Sequence, residues 1–249
     1  LLYVWMFKKS VELKAYWKQY LIVGALNAAI PFTLIAAATL HLPASVAAIL
    51  NSTTPLFTAL ASRWFLHEPL YAKKWIGIGF GIVGVFALVG WSPVPLSTQT
   101  VFSALLSILA AFSYGCGGVY AKKAFTGVSS LSLSIGQQLG AAIVLIPLVA
   151  FDIPTKPVSP LVVYSILGLA VFCTAIAYLF YFYLLANVGP TKTLSVTFLV
   201  PVFGVVWGMI FLHEKISIGM IGGLAIILTS IFLLSDVKIT MKRQEYIKG

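Results

Sequence analysis

The feature that most constrains this chain is a series of long apolar stretches separated by short polar connections. A helix that crosses a bilayer needs about 20 mostly apolar residues, because the hydrocarbon layer is about 30 Å thick and a helix rises about 1.5 Å per residue. Eight stretches meet or approach this length: residues 20–40, 43–65, 75–91, 101–121, 131–151, 161–186, 193–212 and 216–234. The sequence therefore predicts an all-α integral membrane protein, with the lipid bilayer as its predicted partner.

Composition supports this prediction. Only 9% of the 249 residues are charged, whereas a soluble domain carries about 25%. So little polar surface could not keep a globular protein in water. The net charge of +10 does not indicate nucleic-acid binding, because the basic residues lie in short clusters between apolar stretches and form no continuous basic face.

The basic residues also predict how the chain is oriented. Fourteen of the sixteen Lys and Arg residues fall on one side of the predicted bundle, and only Lys156 and Lys215 fall on the other. Cytoplasmic connections of membrane proteins are enriched in Lys and Arg. The C-terminal tail is therefore predicted to be cytoplasmic, and the predicted location is the plasma membrane, taken as a bacterial inner membrane.

An internal repeat runs through the chain. Residues 65–68 read Phe-Leu-His-Glu and recur at 211–214, an offset of 146 positions (211 − 65) that also places Pro55 on Pro201. Under the charge assignment, the first copy ends its helix on the cytoplasmic side and the second copy ends its helix on the opposite side. The two repeats are therefore predicted to be inverted, which is typical of secondary transporters.

The repeat predicts the organisation of the chain. The predicted parts are a first repeat at 1–91, a non-cytoplasmic linker at 92–100, a second repeat at 101–235 and a cytoplasmic tail at 236–249. Residues 1–7 form an apolar stub, so the offset predicts that roughly 45 residues, or about one and a half spans, of the first repeat precede Leu1. The complete unit is predicted to be an inverted-repeat bundle of ten helices, of which about eight and the stub are present here.

Two segments carry a resemblance to a known family. They are residues 51–60 followed by 65–68, Gly77 and Gly84, and residues 198–204 followed by 212–214 and Gly223. Each resembles an EamA-type domain of the drug/metabolite transporter superfamily. The resemblance implies ten helices, cytoplasmic termini, and export or exchange of small metabolites such as amino acids.

Polar residues inside the apolar stretches are the candidate substrate-binding residues, because a polar group facing lipid is costly and should face protein or water instead. They are Asn27, Asn51, Ser52, Thr53, Thr54, Tyr114, Gln137, Gln138, Thr174, Tyr178 and Thr197. Hydrogen bonding between helices is the alternative role for each of them. Pro55 and Pro201 are either tolerated kinks or hinge points of a broken region that lines the substrate site.

Acidic residues are absent from the interior of every predicted span. Glu68 and Glu214 fall at helix ends, where they are predicted to anchor or cap a tight connection. A proton-coupling carboxylate would be expected within the membrane, so the residues present do not support proton antiport. The segment predicted to precede Leu1 could supply such a group, so coupling to a proton or a counter-substrate stays open. The histidines beside them, His67 and His213, are predicted on opposite faces, so they cannot share an ion; no metal or other cofactor is predicted.

The leading function is a secondary transporter that works by alternating access. The alternatives are a multidrug or organic-cation exporter of the same architecture, an intramembrane enzyme, and a channel or scaffold. An enzyme is disfavoured because no acid or histidine lies within a span to activate Cys116 or Cys173. The small-residue spacings at 77–81 and 204–208 predict close helix packing, either within the chain or in a homodimer.

Overall fold

The computed structural model describes residues 12–91, 95, 97–151, 157–177, 180, 183–184, 187 and 198–235, and within these ranges every regular element is a helix. The helices are α1 (Trp17–Ala38), α2 (Ala44–Asn51), α3 (Thr54–Phe65), α4 (Ala72–Gly90), α5 (Thr98–Ala124), α6 (Ser130–Phe151), α7 (Pro160–Ile176), α8 (Leu199–Leu212) and α9 (Ile218–Leu234). The predicted all-α fold is confirmed.

Five of the predicted spans have the length and apolar composition needed to cross a membrane, when α2 and α3 are taken together as Ala44–Phe65. The other three, α7, α8 and α9, are shorter apolar helices within the described residues. The predictions at 161–186 and 193–212 fall partly outside those residues. The predicted boundaries of the repeats and the cytoplasmic tail stay predictions.

Several helices are longer than their apolar stretches. Helix α5 begins at Thr98 instead of 101, because the Ser97 side chain accepts a hydrogen bond from the Thr100 N–H at 3.1 Å and caps the helix there. It continues past residue 121 through Lys122 and Lys123, whose long side chains let a helix extend into a membrane interface. Apolar length therefore underestimated helix length at both ends.

Helices α4 and α9, which occupy matching positions in the two repeats, pack against each other in opposite directions. A Cβ added to Gly77 would lie 3.1 Å from Leu234 Cγ, and a Cβ added to Gly223 would lie 2.9 Å from Leu88 Cβ. Gly223 and Leu234 are the 146-position counterparts of Gly77 and Leu88, so the two contacts are the same contact made twice. This antiparallel symmetry confirms the predicted inverted repeat for this helix pair.

Close glycine packing also joins α8 to α2. A Cβ added to Gly204 would lie 2.5 Å from Ala48 Cβ, and one added to Gly208 would lie 3.2 Å from Ser45 Cβ. The order of these contacts makes α8 antiparallel to α2. The small-residue spacing at 204–208 therefore serves packing between the two repeats of one chain.

Helices α1, α5 and α6 form the rest of the described bundle. The Tyr20 ring packs on Gly136 and stacks on Phe125 with ring centroids 4.9 Å apart. One turn further along α6, Gly140 approaches the Tyr20 backbone carbonyl so closely that no side chain would fit. Ser113 of α5 donates a hydrogen bond to the Leu26 carbonyl of α1 at 2.7 Å. These contacts place α1 between α5 and α6.

Candidate functional site

The polar run at residues 51–54 breaks a membrane-spanning helix in two. Helix α2 ends at Asn51, Ser52 and Thr53 form a turn, and α3 begins at Thr54 with Pro55 in its first turn. Proline has no N–H, so the Asn51 carbonyl cannot receive its usual hydrogen bond from four residues ahead. The Thr54 hydroxyl donates to that carbonyl instead, at 2.7 Å. The helix is therefore interrupted just before Pro55, and the role of Pro55 as a hinge beside the substrate site stays a prediction.

The other hydroxyls of the run are also used inside the break. Ser52 donates to the Ile49 carbonyl at 2.6 Å, and Thr53 donates to the Leu50 carbonyl at 2.7 Å. The same two carbonyls also accept the Ser52 and Thr53 N–H groups, at 3.2 Å and 3.1 Å, so the hydroxyls add a second bond to each carbonyl in a low-dielectric interior. The hydroxyl protons of residues 52–54 are therefore committed to the backbone, and only their oxygen lone pairs remain for a substrate.

Asn51 differs from its neighbours. Its side-chain Oδ1 is buried and has no hydrogen-bond partner among the described residues. An unsatisfied buried polar atom costs about 1–3 kcal/mol, and native proteins contain few of them. Among the described members of the predicted set, Asn51 is the one with a buried side-chain atom that has no hydrogen-bond partner.

The second repeat has a comparable helix start. Pro201, the counterpart of Pro55, is buried in the first turn of α8. Thr197, the counterpart of Asn51, lies outside the described residues, and so does Tyr178. Of the second-repeat residues that correspond to the break, the structure therefore describes Pro201 but not Thr197.

Asn27 and Gln137 form a second polar group, between α1 and α6. The Asn27 side-chain amide donates to Gln137 Oε1 at 3.5 Å, and Gly117 of α5 leaves the room that the Asn27 side chain occupies. Asn27 lies in a π-helical turn, Ala25–Ala29. Pro31 lacks the N–H that would bond the Asn27 carbonyl, and the Ile30 N–H bonds the Ala25 carbonyl in the wider π pattern.

The π-helical turn recurs in the second repeat. Residues Leu169–Ile176 of α7 form one, and they include positions 171–175, the 146-position counterparts of Ala25–Ala29. Thr174 lies in this turn and donates to the Leu169 carbonyl at 3.3 Å. The match extends the symmetry of the two repeats to irregular backbone, and π-helical turns are frequent at functional sites.

The remaining predicted residues lie at the edges of these groups. Tyr114 is half-buried on α5, and Gln138 is half-buried on α6 beside Gln137. This half-burial does not show whether either side chain contacts a substrate. Their substrate-binding role stays a prediction, as it does for the whole predicted set.

Two serines of α5, Ser107 and Ser113, were not among the residues predicted from sequence. Ser113 tethers α1, as described above, and Ser107 is fully buried with no hydrogen-bond partner for its hydroxyl among the described residues. Ser103 and Ser107 are four positions apart, which puts both on one face of a helix. That spacing of small polar residues in an apolar helix was the available signal.

Glu214 connects the two repeats directly. Its carboxylate accepts hydrogen bonds from the Ala44 N–H at 2.6 Å, from the Ser45 N–H at 3.1 Å, and from the Ser45 hydroxyl. It therefore caps the start of α2, where free N–H groups and the helix dipole favour an anion. The sequence predicted that Glu214 anchors or caps the tight connection at its own helix end; the structure instead shows its carboxylate capping a helix of the other repeat.

Glu68, the counterpart of Glu214, has a different partner. Its carboxylate forms an ion pair with Lys122 at 2.7 Å, with both side chains largely exposed to solvent. Since α8 runs antiparallel to α2, the two glutamates lie at opposite ends of the bundle. Among the described residues there is no cluster of three or more His, Cys, Asp or Glu side chains that could hold a metal ion.

Comparison with known proteins identifies the family. Residues 1–90 and 101–236 match the profile of the EamA-like transporter family. The chain is 29% identical over 232 residues to the uncharacterized transporter YvbV of Bacillus subtilis, covering 91% of this chain and 74% of that protein. It is 26% identical over 235 residues to protein PecM of Dickeya dadantii, covering 92% and 77%.

A third relative has a more specific name. The chain is 26% identical over 211 residues to a probable amino-acid metabolite efflux pump of Escherichia coli, covering 77% of this chain and 67% of that protein. The family profile matches two segments that together span most of the sequence, and the described helices are those of a membrane protein. The chain therefore belongs to the EamA-like transporter family and is an integral membrane transporter.

Proposed function

We propose that this transporter exports a small neutral or zwitterionic metabolite, such as an amino acid, by alternating access at a site between its two repeats. The observation that supports this proposal is the helix break at residues 51–54, where α2 and α3 meet and the buried Asn51 Oδ1 has no described partner. Broken helices with available polar atoms near the centre of the membrane are how many secondary transporters bind substrate.

The surroundings of the break support an uncharged or internally neutral substrate. The described residues of the break and of the Asn27–Gln137 pair are hydroxyls and amides, and no acid or base lies among them. An isolated ionised substrate would need a compensating charge in such an interior. A zwitterion carries its own compensating charge, so it suits this environment better than an organic cation does.

The orientation of the proposal follows from the positive-inside bias of the sequence. With the C-terminal tail in the cytoplasm, the Glu68 end of the bundle faces the cytoplasm and the Glu214 end faces outward. Alternating access would then carry substrate between these two ends as one repeat rocks against the other.

Transport by the full-length natural protein in proteoliposomes tests the proposal. The assay compares counterflow of radiolabelled amino acids with that of the organic cation tetraphenylphosphonium. We expect amino-acid transport, and we expect Asn51→Leu or Gln138→Leu to reduce it about tenfold, the effect of losing roughly 1.4 kcal/mol of substrate hydrogen bonding. Membrane insertion should be unchanged in both variants.

Thr229→Leu is the matched control, since Thr229 is an exposed residue of α9 whose hydroxyl bonds only within its own helix, to the Ala225 carbonyl. It should transport at the rate of the natural protein. Transport of the cation without any amino acid would instead establish the organic-cation alternative. Unchanged transport by both Asn51→Leu and Gln138→Leu would remove these residues from the substrate site.

A further inference from the structure

Two buried oxygen atoms near the helix break have no described hydrogen-bond partner: Asn51 Oδ1 and the Ser107 hydroxyl oxygen. Ser107 is 0% exposed. A third such atom, the Tyr20 hydroxyl, lies in the aromatic cluster with Phe125, at the far end of α5 from Ser107. The first two are therefore the ones to consider together.

The packing of α5 places Ser107 level with the break. Ala104 belongs to the same buried cluster as Leu50 of α2, and a Cβ on Gly115 would lie 2.8 Å from the backbone of Phe57 in α3. Helix α5 therefore runs alongside α2 and α3 in the same direction. Ser107 lies between Ala104 and Gly115, at the height where α2 gives way to α3.

Ser107 also lies on the buried face of α5. It is three positions after Ala104 and four before Ala111, and all three residues are buried, so they share the packed face of α5. Ala104 of this face lies in the cluster with α2. The Ser107 hydroxyl is thus directed into the bundle on the side that contacts the broken helix.

Several donors around the break are already used. The hydroxyl protons of residues 52–54 and the N–H groups of Ser52 and Thr53 are donated to carbonyls of α2, and Pro55 has no N–H. Helix α2 ends at Asn51 and α3 begins at Thr54, so the negative end of one helix dipole and the positive end of the other both lie at the break, with Asn51 on the α2 side. A ligand group with several N–H donors matches the two acceptor oxygens.

We propose that Asn51 Oδ1 and the Ser107 hydroxyl oxygen together bind the primary ammonium group of the transported substrate. This inference rests on the proposed function, because it assigns the amino end of an amino acid to this position. The carboxylate of the same substrate balances the charge. Ser107 is then a specificity-determining residue that distinguishes an amino acid from the same acid without its amino group.

Ser107→Ala has an unusual expected signature. Removing a hydroxyl that has no partner among the described residues loses no protein hydrogen bond, so the melting temperature should stay the same or rise. The KM for amino-acid transport should rise about tenfold, the effect of one lost hydrogen bond, while transport of the des-amino analogue should not change. Ser113→Ala is the control, because it removes a hydroxyl bonded to Leu26: it should lower the melting temperature and leave the preference for the amino group intact.

Thermal stabilisation by methylammonium provides a readout that does not depend on transport. Methylammonium should raise the melting temperature of the natural protein and of Ser113→Ala, but not that of Ser107→Ala. If the natural protein carries no amino acid yet shows this pattern, the ammonium site stands and the proposed function fails. If Ser107→Ala responds to methylammonium as the natural protein does, or if it has a lowered melting temperature and impairs transport of the amino acid and of the des-amino analogue equally, the proposal is overturned and Ser107 is structural.

Discussion

The turns at Leu66–Glu68 and Leu212–Glu214 have the same sequence and the same backbone, but their glutamates have different partners. The histidine of each turn is left-handed, with φ of 55° and 53°, and the glutamate N–H donates to the carbonyl six residues earlier at 3.3 Å and 3.1 Å. Short-range geometry is thus repeated closely. It depends only on the helix end and the turn, which both repeats contain.

The glutamate side chains show what the repeat does not determine. Glu214 reaches across to the other repeat and caps the start of α2, whereas Glu68 pairs with the exposed amine of Lys122. The first contact is directional and partly shielded from solvent, and the second is an ion pair in water. The same residue can therefore be a strong connection between repeats at one end of the molecule and a weak one at the other.

Removing the Glu214 carboxylate should lower the free energy of unfolding more than any other change to these two turns. Glu214→Ala leaves two N–H groups at the start of α2 without their charged acceptor, so we expect a loss of about 2–3 kcal/mol of unfolding free energy. Amide hydrogen exchange at Ala44 and Ser45 should become faster. Glu68→Ala is the matched control and should leave exchange at both amides unchanged; equal effects of the two variants would contradict the distinction.

Replacing the left-handed histidines should have an intermediate and equal effect. The left-handed conformation strains a non-glycine residue by about 1–2 kcal/mol. Glycine removes this strain, but it offsets part of the gain because a glycine loses more conformational entropy when the chain folds. His67→Gly and His213→Gly should therefore each stabilise the protein by about 0.5–1 kcal/mol, seen as similar rises in melting temperature. A rise in only one variant would show that the turns are not energetically equivalent.

Breaking the Lys122–Glu68 ion pair should have the smallest effect. The two side chains are 67% and 43% exposed, so solvent and salt screen their attraction, and Lys122→Gln should cost less than about 0.5 kcal/mol. The melting-temperature difference from the natural protein should shrink further in high salt. A large, salt-independent loss would place this contact in the same class as that of Glu214.

Several features of the site were predictable from sequence because they depend on neighbouring residues. The break follows from Pro55 and the hydroxyls just before it, whose bonds all span three residues. The pairing of Asn27 with Gln137 was not predictable, since it joins residues 110 positions apart. The unpaired hydroxyl of Ser107 was not predictable for a related reason: a serine in an apolar helix usually bonds its own backbone, and only the structure shows that this one does not.

The sequence by itself determined that the chain lies in lipid, that it folds into helices, and that its two repeats are inverted. Hydrophobic length, charge bias and the 146-position offset encode these properties, because solvent exposure and helix direction act on whole segments. Only the tertiary structure decided which polar atoms are paired, which stay unpaired, and which glutamate joins the repeats. Hydrogen bonds depend on ångström-scale distances between helices far apart in sequence, and these distances are set by the packing of side chains that no single segment contains.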